Sequence, residues 1–299
     1  MNVKSVVKLI EVRTLVAGFF PVLLGSIYSL YTYHRINLIF LISLILAMGL
    51  VQSATNMLND FMDFYRGTDD SDKKEEKVFV SGEVKPNQIL VLLILFPLIA
   101  LLIGIWIASQ TSYYILLVAT VGAFIAIFYS FGPCPISHTP FGEVASGITM
   151  GIGITATSGY IQSGRFGIDF IAMAIPTTVY IAYIMFTNNL CDRDADLQAN
   201  RHTLPGMIGF QAAKWIWIFA CMILCFITLV LIWIGIFPVS TLLCMGILWN
   251  YKEIYPMKSF EQKDFSKKVM MKIIGKIGIQ YHVLLILAFF TAWVFEVFK

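Results

Sequence analysis

A chain of 299 residues that is 58% hydrophobic and 13% charged, with a mean hydropathy of +0.79, is not a soluble domain; those carry about 25% charged residues. The net charge of +3 carries little information, and no nucleic-acid partner is expected. The five cysteines (Cys134, Cys191, Cys221, Cys225, Cys244) lack the clustered spacing of a zinc site or a disulfide framework. Cys221 and Cys225, one turn apart in an apolar stretch, read as packing residues.

The composition indicates a multi-pass protein of the lipid bilayer. Lys4, Lys8, Glu11 and Arg13 precede the first apolar stretch. No small-residue cleavage site ends that stretch, so it reads as a span and not as a removable leader. A span needs about 20 apolar residues. Nine such stretches are predicted, at 14–32, 37–59, 88–108, 112–131, 142–162, 169–190, 213–234, 237–251 and 280–297. The fifth is rich in glycine and the eighth is short. With the N-terminus in the cytoplasm, 18 Lys and Arg fall on the cytoplasmic side. Only Arg35, Arg165 and Lys299 fall on the other, the asymmetry that membrane insertion favours.

The second span ends in "NMLNDFMDFYRGTDD", Asn56 to Asp70. Ionisable groups so close to the hydrocarbon are expensive and therefore functional candidates. The sixth span ends in a similar stretch, "NNLCDRDADLQANRHTL", Asn188 to Leu204. Asn56 and Asp60 match Asn188 and Asp192 at one offset of 132 residues. This suggests a duplicated chain, with halves at about 1–135 and 136–260 and a ninth helix at 280–297. Both stretches face the cytoplasm in the predicted topology.

On a helix, residues i, i+4 and i+7 or i+8 share a face. Asn56, Asp60 and Asp63 form one such stripe, and Asn188, Asp192 and Asp196 the other. A helix C-terminus disfavours negative charge, so carboxylates clustered there call for cations. Hard oxygen ligands suit Mg2+, which binds one or two carboxylates together with substrate phosphates. The neighbouring run Asp69 to Glu76, Asp69 excepted, reads as solvated loop charge balanced by Arg66, Lys73, Lys74 and Lys77.

These stretches resemble the UbiA superfamily of intramembrane prenyltransferases, which has nine helices and two Asp-rich motifs on the second and sixth. The first motif reads Asn59-Asp60-x-x-Asp63-x-x-x-Gly67-x-Asp69, and its Gly-x-Asp ending is similar to the 1,4-dihydroxy-2-naphthoate polyprenyltransferase branch. "KVFVSGEVKP" resembles that branch's basic-x-x-x-Ser-Gly stretch, with Lys77 in place of Arg and with Ser81. "YSFGPCPISHTPFGE" resembles its Tyr-Ser-x-Gly-Pro segment, beginning at Tyr129. The second acidic stretch resembles its Asn-Asn-x-Arg-Asp-x-x-x-Asp pattern, with Asn188, Asn189, Asp192 and Asp196 in register. Cys191, where Arg is usual, and Pro205, where Ala is usual, depart from the branch.

The resemblance implies an all-α bundle of nine transmembrane helices with a single catalytic domain. It implies transfer of a polyprenyl group from an allylic diphosphate to an aromatic acceptor, 1,4-dihydroxy-2-naphthoate giving demethylmenaquinone, or alternatively to 4-hydroxybenzoate, heme or a glycerophosphate ether lipid, with Mg2+ held by Asp60, Asp63, Asp192 and Asp196. Asn56, Asn59, Asp69, Ser81, Asn188 and Asn189 are implied around the head group. Arg66, Lys77, Arg193 and Arg201 are candidates for direct diphosphate contacts, a task suited to cations. Phe61, Phe64, Tyr65 and Tyr129 offer π faces to an allylic cation. Glu143 reads either as an acceptor-orienting group or as the start of the fifth helix. The basic run Lys258 to Lys276 reads as an amphipathic segment on anionic lipid.

Two other classes fit less well. A transporter would place its ionisable residues near the bilayer midplane. A CDP-alcohol transferase would need an Asp-Gly…Ala-Arg pattern that is not found in the chain.

Overall fold

The computed structural model describes residues 3–10, 15–66, 84 and 86–298. Every regular element among them is helical. Helix α1 (Val3–Ile10) is short, and α2 (Val16–Tyr33) is the first long apolar helix. His34 stops α2 in the left-handed conformation, φ 54°, and its N–H returns to Leu30 O. Helix α3 (Leu38–Arg66) is followed by α4 (Pro86–Gln110) and α5 (Tyr114–Ser130).

The glycine-rich fifth stretch is not one regular helix. It consists of α6 (Gly142–Ser146), a π-helical segment over Gly147–Gly153, and α7 (Ile154–Ser163). Its glycines allow α8 (Ile168–Cys191) to press against it. A Cβ on Gly147 would stand 2.8 Å from Thr178 O, and one on Gly151 would stand 2.4 Å from Thr178 Cα. Small residues at such crossings let backbones approach closely.

Past α8 come α9 (Arg193–Gln198) and α10 (Leu204–Ile208). The seventh predicted span is a bent pair, α11 (Phe210–Ile218) and α12 (Ala220–Trp233), at 50° to each other. The short eighth stretch winds as a 3₁₀ helix over Val239–Asn250 and continues into α13 (Tyr251–Ile254). At about 2.0 Å per residue, twelve 3₁₀ residues extend about 24 Å, against about 18 Å for the same number in an α-helix. The tighter winding gives a short sequence more reach.

The last helix, α14 (Lys267–Val297), begins thirteen residues before the predicted ninth span. This corrects the reading of Lys258 to Lys276 as one amphipathic surface segment. Its second half is the first turns of α14, and its first half is short 3₁₀ turns tied down by the buried Lys214. The Lys214 ammonium donates to Lys258 O at 2.9 Å and to Phe260 O at 3.1 Å.

Among the described residues, five helices are long and apolar enough to cross a membrane, or six if the bent pair is one span. The main core joins α2, α8, α11, α12 and α14 around Tyr28, Phe170, Trp217, Tyr281 and Phe289. Helix α2 packs closely on α7, where a Cβ on Gly25 would stand 2.3 Å from Thr155 O. Beside that contact Ser26 Oγ and Ser158 Oγ hydrogen-bond at 3.0 Å, two residues themselves 132 positions apart. All five cysteines are free thiols, with Cys221, Cys225 and Cys244 buried, as packing residues should be.

Candidate active site

The turns that start α3 and α8 lie side by side. Arg35 Nη1 donates to Ser163 O at 3.0 Å, and the Asn37 N–H donates to Gln162 Oε1 at 2.6 Å. Both helices run back from that end of the bundle. At about 1.5 Å per residue, Asp60 lies about 33 Å along α3, and Asp192 about 36 Å along α8. The two acidic stretches therefore share the opposite end.

Side chains from five parts of the chain meet there. Ser130 Oγ, at the end of α5, donates to Asn59 Oδ1 at 2.8 Å. Asn189 Nδ2, near the end of α8, donates to Glu143 Oε1 at 2.8 Å. Arg201 Nε lies 3.4 Å from Asp196 Oδ1. The phenol of Tyr129 lies in the field of both Glu143 and Arg201. The connections on either side are laced together, with the His202 N–H donating to His138 O at 2.9 Å. Ser130, Glu143, Asn189, Asp196 and Thr203 are all buried.

The second acidic stretch bends at its centre. Helix α8 ends at Cys191, Asp192 caps it with φ −93° and ψ 5°, and α9 starts at once. The i→i+4 bonds continue through the bend, from Asp192 N to Asn188 O at 3.1 Å and from Asp196 N to Asp192 O at 2.8 Å. The stripe of Asn188, Asp192 and Asp196 thus survives, but its electrostatics differ from the expectation. Asp192 closes α8 and opens α9, and Asp194 and Asp196 lie in the first turn of α9, where helix polarity favours negative charge. Asp60 likewise is not at a helix terminus, because α3 continues to Arg66.

Several predicted residues have partners that local spacing does not reveal. Asn56 Nδ2 donates to Ile10 O at 2.8 Å and Asn56 Oδ1 accepts from Gln52 at 3.3 Å, so this side chain anchors α1. Asp192 pairs with Lys267 at 2.5 Å, from the first turn of α14. Arg193 pairs with Asp194 at 2.7 Å, and Asn188 Nδ2 reaches Asn189 Oδ1 at 3.5 Å. Of the four aromatics, Tyr65 and Phe64 are exposed and Phe61 packs near Leu9 and Met57, which leaves Tyr129 facing the cluster. Asp69, Lys77 and Ser81 lie outside the described residues, as do the side chains of Asp63 and Arg66.

Sequence reasoning misses Lys267 and Ser130 as site residues and leaves Glu143 undecided. Glu143 has a signal in the sequence: an acid one residue into an apolar stretch. Lys267 has none beyond belonging to a basic run.

Among the described residues, no three His, Cys, Asp or Glu side chains converge closely enough to hold a metal by themselves. Mg2+ typically binds one or two protein carboxylates together with substrate phosphates. The donor chemistry agrees, with carboxylates at Asp60, Asp192 and Asp196 and a rim of Arg193, Arg201 and Lys267. Buried polar atoms without a hydrogen-bond partner, Arg193 Nε and Thr203 Oγ1, also line this end. Such atoms are costly unless a ligand or water completes them.

Residues 18–274 match the UbiA prenyltransferase family. Over 206 residues the chain is 34% identical to 1,4-dihydroxy-2-naphthoate octaprenyltransferase of Bacillus subtilis (strain 168), a match covering 67% of this chain and 65% of that enzyme. It is 26% identical over 199 residues to UbiA prenyltransferase domain-containing protein 1 of Danio rerio, covering 64% of this chain and 58% of that protein. The matched part thus spans less than two thirds of the length of either of these relatives. A UbiA homologue from Archaeoglobus fulgidus, solved bound to DMAPP and Mg2+, superposes with a TM-score of 0.67 at 14% identity, covering 97% of this chain and 99% of its own. The apo UbiA homologue from Aeropyrum pernix K1 gives 0.64 at 16% identity, covering 88% and 96%. These superpositions bear out an all-helical UbiA-like fold.

Proposed function

The chain belongs to the UbiA prenyltransferase family, and from that premise we propose that it transfers a polyprenyl group from an allylic diphosphate to an aromatic acceptor. The acceptor in this reading is 1,4-dihydroxy-2-naphthoate and the product demethylmenaquinone. The observation that supports it most is the convergence of two Asn/Asp stretches at one end of the bundle, beside the half-buried Arg201 facing the buried Asp196. The similarity to the B. subtilis enzyme supports the choice of acceptor.

In this reading Asp60, Asp63, Asp192 and Asp196 hold Mg2+, which supplies Lewis-acid neutralisation of charge on the departing diphosphate. Arg201, Arg193 and Lys267 add charge-assisted contacts to its oxygens. The Arg201 guanidinium is held against Asp196, so it is oriented before substrate arrives. Asn59 is fixed by Ser130 and sets the rotation of this end of α3. Tyr129 offers its ring to the allylic cation. The buried ring of Glu143, Asn189 and Asp196 keeps water from that cation. The prenyl tail lies among the apolar helices, which are widely exposed along α4 and α5.

The topology belongs to the same proposal. The nine stretches are nine crossings, the N-terminus and the acidic end face the cytoplasm, and the halves arose by duplication. The Ser26–Ser158 contact supports duplication, because residues related by the 132-residue offset meet where α2 crosses α7.

The test is product formation by purified protein in detergent with Mg2+ and a radiolabelled polyprenyl diphosphate. One reaction receives 1,4-dihydroxy-2-naphthoate, one receives 4-hydroxybenzoate, and one receives no acceptor. A prenylated naphthol that disappears with EDTA is the expected result. Product with 4-hydroxybenzoate alone would keep the chemistry and overturn the acceptor. No turnover of the diphosphate by folded protein would overturn the transferase reading.

A further inference from the structure

Glu143 is only 2% exposed, at the start of a helix in an otherwise apolar stretch. A buried carboxylate is stable only when hydrogen bonds complete both oxygens. Here one oxygen is completed: Oε1 accepts from Asn189 Nδ2 at 2.8 Å. The other, Oε2, is buried and has no hydrogen-bond partner. Backbone N–H groups of Glu143 itself and of Leu204 lie near the carboxylate, but neither closes a hydrogen bond to Oε2. A helix start would be served as well by Ser, Thr or Asp at its cap, without burying a carboxylate.

The surroundings of Glu143 are polar and charged. Tyr129 and Arg201 share its electrostatic environment. Gly142 precedes it, and a Cβ there would stand 3.3 Å from Ile136 O and 3.6 Å from the Tyr129 hydroxyl. With no side chain there, Ile136 and the Tyr129 hydroxyl pack close to the Gly142 backbone. Its partner Asn189 is one helical turn before Asp192, so the carboxylate lies beside the acidic stretch proposed to hold the diphosphate.

We propose that Glu143 is the residue that binds and deprotonates the aromatic acceptor, with Oε2 receiving the acceptor's hydroxyl proton. This rests on the prenyl-transfer reading above. As the carbon–oxygen bond of the allylic diphosphate breaks, its electron pair leaves on diphosphate oxygen. A ring carbon of the acceptor supplies the pair for the new carbon–carbon bond, and the hydroxyl proton passes to Oε2, leaving a ring ketone. Where the attacked carbon carries a carboxylate, loss of CO2 returns its electron pair to the ring. The resulting ring oxyanion takes the proton back from Glu143, so the carboxylate is regenerated. The Asn189 bond holds Oε1 and leaves Oε2 facing the ring. Deprotonation raises the electron density of the ring at the moment of attack, which is general-base catalysis by a positioned group.

The experiment compares wild type with Glu143→Gln, which is isosteric and can still accept from Asn189 through its carbonyl. Its amide nitrogen cannot accept a proton where Oε2 stands. Acceptors are 1,4-dihydroxy-2-naphthoate and its two mono-methyl ethers, under argon, with geranylgeranyl diphosphate as donor. Binding of each acceptor is also measured by tryptophan fluorescence without donor or Mg2+. The expected result is that one methyl ether lowers kcat/KM by about 10²-fold on wild type. In Glu143→Gln the parent acceptor should suffer a similar loss, and the penalty for that ether should vanish. Glu143→Asp should recover part of the activity, and KM for the donor should stay unchanged in both variants.

If Glu143→Gln still discriminates hydroxyl from ether as wild type does, in turnover and in binding, the proposal is overturned. It is overturned too if neither ether discriminates on wild type. A wild type that transfers no prenyl group would instead overturn the prenyl-transfer reading. The binding arm then still decides whether Glu143 recognises the acceptor hydroxyl.

Discussion

The two acidic stretches look alike in sequence and are built differently. The second is braced from four directions. Asn189 is bonded to Glu143, Asp196 faces Arg201, Asp192 faces Lys267, and Gln262 Nε2 donates to Leu190 O at 2.9 Å. The first stands on an uninterrupted helix, where Asn59 is bonded by Ser130 and Asn56 is spent on α1. A duplicated motif need not be used twice in the same way. The second stretch is a preorganised charged site, and preorganisation is what makes fixed charges effective against a developing anion.

The sharpest test of this difference removes one carboxylate from each stretch. Asp60→Asn and Asp192→Asn are each expected to lower kcat/KM by about 10³-fold if both stretches carry the diphosphate. The two should then differ in stability. Asp192→Asn releases Lys267 at the α14 junction, whereas Asp60→Asn leaves that junction intact. Turnover at saturating Mg2+ together with thermal unfolding in detergent separates the effects. A first-stretch mutant that keeps wild-type turnover would leave the second stretch as the whole site.

Arg201→Met should come next in size. It removes the guanidinium facing a largely buried Asp196, and breaking such a pair costs about 3 kcal/mol. The expected signs are a lowered unfolding temperature and a KM for the polyprenyl diphosphate raised by more than tenfold, about 1.4 kcal/mol or more of lost interaction. A fall in stability with no change in KM would make Arg201 purely structural.

How much of the molecule is legible in its sequence depends on the range of each signal. Apolar runs locate the long helices, because the bilayer dictates their length. The matched Asn and Asp positions point to the proposed site, because spacing along one helix is a local property. Partners 46 and 75 residues away, Glu143 for Asn189 and Lys267 for Asp192, leave no trace in local spacing. The bend at Asp192 is also hidden, since an unbroken helical reading and two short helices share the same i→i+4 pattern. The glycines of 147–153 read as a weak span, yet they are the surface on which α8 packs. The 3₁₀ winding of 239–250 has no marker in the sequence, where that stretch reads only as a short span.

Lys267 gives the smallest and most specific test. Its ammonium contacts Asp192, but it is 45% exposed, and its partner 23%. Exposed pairs contribute about 0.2–1 kcal/mol. Lys267→Gln should therefore leave the fold intact and shift ligand affinity only by a few-fold. The direction discriminates two roles. If Lys267 competes for Asp192, Mg2+ should bind more tightly in the variant, read as a lower half-saturating concentration in a tryptophan fluorescence titration. If instead Lys267 swings to the diphosphate once Asp192 takes the metal, KM for the donor should rise as well. Both shifts together, each of a few-fold, would show a cation that holds the carboxylate in place until substrate and metal arrive. That brace comes from a helix 75 residues further along the chain, outside both halves of the proposed duplication, so it is no part of the repeated motif.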